Sequence, residues 1–186
     1  LQRARGCLDL LELDLEGHAE QLDLTSRIRR SLNDLQRNYE EVRNYAAPIT
    51  LDHTEVYLPD LVGRAFDDLR VDFNGVEHRL RVDASPDIGP IRADEHRLNQ
   101  VLRNILENAI AASDGAARIE VSINSCQHNG HSGQRLVVKD EGLGMDAETV
   151  VRIFEPFHTT KQSGTGLGMA ICKRIIDAHG GQRGDT

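Results

Sequence analysis

At 186 residues the chain has room for one good core plus a smaller element, or for two small domains. Its net charge of -8, from 22 Lys and Arg against 30 Asp and Glu, argues against a surface built to attract nucleic-acid phosphates. Three scattered cysteines, Cys7, Cys126 and Cys172, suggest neither a disulfide framework nor a zinc site and fit a reducing cytoplasm, and no apolar run approaches the ~20 residues that cross a bilayer.

The first fifty residues read as helix. Cys7, Leu8, Leu10, Leu11 and Leu15 mark the end of one helix, with a turn near Gly17. Ile28, Leu32, Leu35, Tyr39, Val42 and Ala46 then recur at alternating spacings of four and three, which keeps one apolar seam on a single face, and Pro48 stops that helix. Residues 1–50 are thus expected to form a helical hairpin whose seam cannot be buried alone. Homodimerisation into a four-helix bundle is the remedy.

Residues 51–58 read as a linker, and a second domain is expected over 59–186. Pro59 lies near the N-terminus of a helix that includes Asp60 to Phe66. Leu80, Val82 and Ala84 alternate with polar residues, as do Ile119, Val121 and Ile123, while Leu136, Val137 and Val138 form a short run read as buried; all three predict strands. Between them Leu98, Val101, Leu102, Ile105, Leu106 and Ala109 predict an amphipathic helix. The segment from Ser125 to Gln134, rich in Asn, Gly, Ser and His, reads as a surface loop. The expected fold class is α+β, a helical hairpin followed by an α/β sandwich with one sheet covered by helices.

Three segments carry chemistry. Asp140-Glu141-Gly142-Leu143-Gly144-Met145 and Gly164-Thr165-Gly166-Leu167-Gly168-Met169 are punctuated by glycine, which admits positive φ and close approach of backbone to a ligand. The second run opens an apolar helix containing Ala170, Ile171, Ile175 and Ile176, so the N-H groups of its first turn are available to phosphates. In the third segment, Asn104 and Asn108 stand four apart and share one helix face.

In this order these segments resemble the N, G1 and G2 boxes of the Bergerat-type ATPase superfamily shared by sensor histidine kinases, gyrase, heat-shock chaperones and mismatch-repair ATPases. Ile153-Phe154-Glu155-Pro156-Phe157 resembles the F box. With a helical hairpin upstream, the chain resembles a bacterial two-component sensor histidine kinase. The resemblance implies that Asn108 helps hold Mg²⁺ and that Asp140 accepts from the adenine amino group. It also implies that Gly142, Gly144, Gly164, Thr165, Gly166, Leu167 and Gly168 cradle ATP together with Asn104, and that Lys161 adds a cation at the terminal phosphate. The short span from Phe157 to Gly164 resembles the compact ATP lid of nitrogen-regulator-type kinases.

Two departures stand out. Where many members carry a basic residue soon after the magnesium asparagine, this chain has Ile110, Ala111 and Ala112. The family's phospho-accepting His motif is absent from the sequence. Ala4-Arg5-Gly6 and the residues after it resemble the stretch that follows that motif, so the acceptor is expected about six residues upstream of Leu1. The C-terminus is likewise expected to be incomplete, because the family adds a strand beyond Gly180-Gly181. His18 is the rival acceptor, though a solvated turn histidine is its simpler reading. His128 and His131 lie in a polar segment without further ligands, and His158 and His179 read as lid and helix-end residues.

The function implied is ATP-Mg²⁺ binding and transfer of the γ-phosphoryl group to a histidine, then to an aspartate on a response-regulator receiver domain. The expected setting is the cytoplasm, in a free protein or the cytoplasmic part of a membrane-bound sensor, with no nucleic-acid or membrane contact by this segment. The alternatives are an ATP-hydrolysing clamp, whose N-box glutamate would here be replaced by Asn104, and a non-catalytic dimerisation module. Asparagine cannot act as a general base at neutral pH.

Overall fold

The structure, a computed structural model, describes residues 2–15, 18–70, 76–128, 131–161 and 164–181. Straight-chain and leucine residues favour two antiparallel helices at the start, α1 (Gln2–Asp14) and α2 (Ala19–Ala46). The turn expected at Gly17 falls outside the described residues. Arg29 of α2 reaches across to Asp9 and Glu12 of α1, both at 2.7 Å, and Arg5 donates to Asn33 at 2.6 Å. Leu8 and Thr25 are buried between the helices, whereas Ile28, Leu35, Tyr39 and Val42 of the apolar seam remain exposed. Nothing within one chain covers that stripe among the described residues.

The rest of the chain follows as β1 (Thr54–Val56), α3 (Leu58–Arg70), β2 (Arg79–Ala84), β3 (Ile91–Ala93), α4 (Glu95–Ala111), β4 (Arg118–His128), β5 (His131–Asp140), α5 (Ala147–Arg152) and α6 (Gly168–Ala178). β2 and β4 are parallel, and β4 pairs antiparallel with β5. A parallel pair needs a crossover, and the one between β2 and β4 contains α4, the helix that carries Asn104 and Asn108. β1 and β3 form a separate antiparallel pair, so residues 54–56, within the span read as a linker, are hydrogen-bonded to the second part of the chain.

The core explains the layers. Leu58, Leu61, Val62, Ala65, Phe66 and Leu69 repeat at three and four along α3, and all are buried against Leu102, Leu106, Ala109 and Ile110 of α4 and Ile119, Val121 and Ile123 of β4. The other side of α4 uses Val101 and Ile105 against Leu167, Ile171 and Ile175 at α6. α4 is therefore packed on two sides. The outward residues Arg79, Arg81, Asp83, Arg118 and Glu120 are exposed, so helices cover one face of the sheet. Among the described residues no helix is long and apolar enough to cross a membrane.

Two expectations are corrected. Within the segment from Ser125 to Gln134, residues 125–128 and 131–134 are strand: β4 and β5 continue as a ladder to the pair His128 and His131. Beyond Ile123 no described residue of β4 is buried, so backbone bonds rather than an apolar face hold this extension. Val137 is exposed while its neighbours Leu136 and Val138 pack against the core, so β5 alternates instead of being buried throughout.

Asp94 fixes where α4 begins. Its carboxylate accepts from the N-H of Arg97 at 2.9 Å, as a helix cap, and from the N-H of Asp52 at 2.9 Å. Burial, the largest single effect, pushes this carboxyl up; the two N-H donors, with Arg97 nearby, bring it net below its ordinary value. The N-H of Asp94 in turn donates to Nε2 of His179 at 3.0 Å, and Nδ1 of that ring lies 2.8 Å from the carbonyl of Ile175. Those two bonds require a neutral ring carrying its proton on Nδ1. His179 thus ties the end of α6 to the start of α4, beyond its expected place at a helix end.

Candidate functional site

The site is organised along one face of α4. Asn104, Asn108 and Ala112, the last being the residue that ends the helix, are spaced by four and lie one above another over about 12 Å. Each meets a different loop. Asn104 Nδ2 donates to the carbonyl of Gly168 at 3.1 Å, at the start of α6. Asn108 Oδ1 accepts from Lys161 Nζ at 2.7 Å. The carbonyl of Ala112 accepts from the N-H of Leu143 at 3.0 Å.

The turn after β5 is held tightly against that last position. Asp140 Oδ1 accepts from the N-H of Gly142 at 2.9 Å, leaving the other carboxylate oxygen as an acceptor. A Cβ at Gly142 would stand 2.7 Å from the Cβ of Ala112 and 2.9 Å from its carbonyl oxygen, so glycine is required on one side and a small residue on the other. Gly144 has φ of 71° with open space around it. The run Ile110, Ala111 and Ala112 lacks the basic residue frequent in the resembling family, and Ala112 instead supports the turn.

The lid is closed at its base. Phe157 adopts φ of 67°, a left-handed conformation that is uncommon for a bulky residue, and its N-H donates to the carbonyl of Gly166 at 3.0 Å. Gly166 itself has φ of 70°, and a Cβ there would come within 2.6 Å of the His158 carbonyl oxygen and of the Phe157 carbonyl carbon. Residues 162 and 163 lie outside the described set. Past the lid, Leu167 caps α6 without any side-chain bond to the first turn, and its own N-H donates to Thr165 Oγ1 at 3.3 Å. The start of α6 therefore presents N-H groups without intrahelical partners.

Lys161 brings an ammonium group to Asn108. Burial pushes its ammonium below the ordinary lysine value, and the carboxylate of Glu107 works in the opposite direction. Its contact shows that Asn108 offers an oxygen acceptor to a positive group at this position, which is the donor type that Mg²⁺ takes. Asn108 thus fits a magnesium ligand. Asn104 is placed differently: its amide also lies 3.5 Å from Cys172 Sγ, and it serves the junction of α4 with α6. Burial, opposed by the Asn104 bond, pushes the Cys172 thiol up to about 11 and keeps it protonated. Gly164 meets Thr159 Oγ1 at 3.0 Å from its would-be Cβ, while Gly168 would make only ordinary contacts with Asn104. His18, the rival acceptor, lies just before α2 as its N-cap, makes no side-chain cap bond and is exposed.

Sequence reasoning missed one participant. Glu41 of α2 accepts a hydrogen bond from Thr165 Oγ1, across a separation of 124 residues, and no motif announced it.

Residues 93–184 match the family described as "Histidine kinase-, DNA gyrase B-, and HSP90-like ATPase". Over 183 residues, 97% of its length, the chain is 33% identical to "Signal transduction histidine-protein kinase AtoS" of Escherichia coli (strain K12), of which it spans 29%. In fold it is similar to the crystal structure of full-length ShkA in complex with AMPPNP, with a TM-score of 0.69 and 30% identity, covering 89% of this chain and 36% of that one. It also matches the catalytic domain of histidine kinase ThkA, with a TM-score of 0.58 and 28% identity over 68% of this chain and 81% of the other. Through residues 93–184, this chain belongs to the histidine kinase-, DNA gyrase B-, and HSP90-like ATPase family.

Proposed function

We propose that the chain is the ATP-binding catalytic part of a sensor histidine kinase that moves the γ-phosphoryl group of ATP to a histidine, from which it passes to an aspartate on a response-regulator receiver domain. The observation that carries this reading is the order of loops along α4: the Asp140 turn at Ala112, the lid lysine at Asn108 and the start of α6 at Asn104. A nucleotide laid along that face has its base at Asp140 and its phosphates toward Lys161 and α6. The similarity to histidine kinases at 33% identity supports the same reading. Supply of ATP puts the reaction in the cytoplasm.

Each residue has a definable task. The free oxygen of Asp140 accepts from the adenine amino group, and Gly142 and Gly144 let the backbone turn beneath it. Mg²⁺, held by Asn108 Oδ1, phosphate oxygens and water, would neutralise charge on the phosphates. The N-H groups at the start of α6 and the ammonium of Lys161 orient the terminal phosphate. Phosphoryl transfer depends mainly on such positioning and charge neutralisation. Asn104 carries no basic group and points its amide at Gly168, which disfavours a water-activating clamp.

With γ-labelled ATP, Mg²⁺ and a separate helical hairpin bearing an acceptor histidine, the expected product is acid-labile label on the hairpin, lost with Asn108→Ala. Steady release of free phosphate without labelled protein would contradict a kinase and point to hydrolysis instead.

The second part of the reading is a homodimer through α1 and α2, supported by the exposed Ile28, Leu35, Tyr39 and Val42. Leu35→Asp would put an unpaired carboxylate into a buried seam, at a cost of several kcal/mol. Sedimentation should show dimers for the native chain and monomers for the variant. A monomeric native chain, or a variant that dimerises equally well, would count against it.

A further inference from the structure

We propose that Glu41 couples the helical hairpin to the phosphate end of the nucleotide site, so that docking of α2 and binding of nucleotide phosphates oppose one another; the inference rests on the nucleotide-binding reading above. Thr165 Oγ1 is shared between two partners. It donates to the Glu41 carboxylate and accepts from the N-H of Leu167 at 3.3 Å. One hydroxyl therefore joins α2 to the backbone that opens α6.

The bond sits at the edge of a wider dock. Arg174 of α6 donates to the carbonyl of Ala47 at 3.1 Å, and its guanidinium lies 5.1 Å from the centre of the Tyr45 ring. Tyr45 and Ile49 pack against Leu167, Ile171 and Ile175. The end of α2 is thus seated on the same helix whose first turn faces the phosphates. Glu41 brings a negative charge to that end of the site, and a polyphosphate brings several more.

A carboxylate and a polyphosphate drawn to the same end of α6 repel each other, and Thr165 links the carboxylate to the backbone that opens the helix. Phosphates that recruit the N-H of Leu167 take it from Thr165 and loosen the hydroxyl that holds Glu41. Linkage makes the effect reciprocal: a nucleotide weakens the dock by the factor that the dock weakens the nucleotide. The hairpin thereby senses occupancy of the site, and release of α2 frees the nucleotide domain to move against the helices.

The test measures binding of Mg²⁺ and a non-hydrolysable ATP analogue by calorimetry to the native chain, Glu41→Gln, Glu41→Ala and Glu40→Ala. Alanine and glutamine are good helix formers, so α2 is retained, as far-ultraviolet circular dichroism would verify. The expected result is a gain in affinity of about tenfold for Glu41→Ala, a smaller gain for Glu41→Gln and none for Glu40→Ala. Hydrogen exchange of the native chain should quicken over residues 41–49 when the analogue is added. Unchanged or weaker binding by Glu41→Ala, an equal gain for Glu40→Ala, or ligand-induced protection of 41–49 would overturn the role of Glu41 and leave the nucleotide site standing. Failure of all four proteins to bind the analogue would overturn the nucleotide reading and this inference with it.

Discussion

Gly166→Ala is expected to abolish most nucleotide binding while leaving the fold intact, and Gly144→Ala is expected to do much less. The two glycines have nearly the same backbone, φ of 70° and 71°. They differ in what surrounds them. A methyl at Gly144 meets nothing within 4 Å, so its cost is the left-handed conformation alone, about 1 kcal/mol, or a few-fold in affinity. A methyl at Gly166 meets the His158 carbonyl oxygen and the Phe157 carbonyl carbon at 2.6 Å, and both are backbone atoms that no rotamer change can move. Relief requires breaking the Phe157 to Gly166 hydrogen bond and shifting the base of the lid. Strain and the lost bond together come to about 3 kcal/mol, roughly a hundredfold in affinity. Equal losses at the two positions, measured by titration with ADP, would show that crowding at the lid base is not what shapes the site.

The same geometry explains why the lid can be short. Its two ends are already joined at Phe157 and Gly166, so ordering the residues between them closes a small loop. Lys161 reaches Asn108 from that loop in a direct bond, which puts this cation over the last turn of α4. The order along that helix is therefore a consequence of sequence spacing at 104, 108 and 112 together with the crowded glycines Gly142 and Gly166 in two of the neighbouring loops.

Much of the site was legible because its signals are local. Glycines in short runs and asparagines one helix turn apart are signals that stand next to each other in the chain, although the crowding of Gly142 by Ala112 and the contact of Asn108 with Lys161 come from residues far along it. The α4 stripe was readable for the same reason, since three turns of regular spacing outweigh single exceptions, whereas for α3 Pro59 marked the start and its apolar stripe was not read. β1 and β3 were not, because three residues are too few to display a period of two. The far half of the β4 and β5 ladder was misread because its residues are polar on both faces, so backbone pairing and side-chain bonds such as Gln127 to Ser132 and Gln134 to Gly89 hold it without an apolar face. Asn104 was grouped with the ligand-facing residues from its spacing, and only the packing of α6 reveals that its amide goes to Gly168. The bond from Thr165 to Glu41 depends on how two parts of the chain dock, which no local pattern encodes.

On the function proposed above, Asp140, Asn108 and the two glycine runs form one Mg²⁺-dependent adenine nucleotide site. Calorimetry with ADP, with Mg²⁺ and with a chelator, on the native chain, Asp140→Ala and Asn108→Ala tests it most directly. Removing the Asp140 carboxylate deletes a charged acceptor for the base, and a bond of that kind is worth about 1.5–3 kcal/mol, or roughly ten- to a hundredfold in affinity. Asp140→Ala should therefore bind ADP at least tenfold more weakly, keep its dependence on Mg²⁺, and lose its preference for adenine over guanine nucleotides. Asn108→Ala should bind as weakly as the native chain does in chelator, with no further response to the metal. Equal affinity in all three proteins, or a native chain indifferent to both ADP and Mg²⁺, would contradict the account.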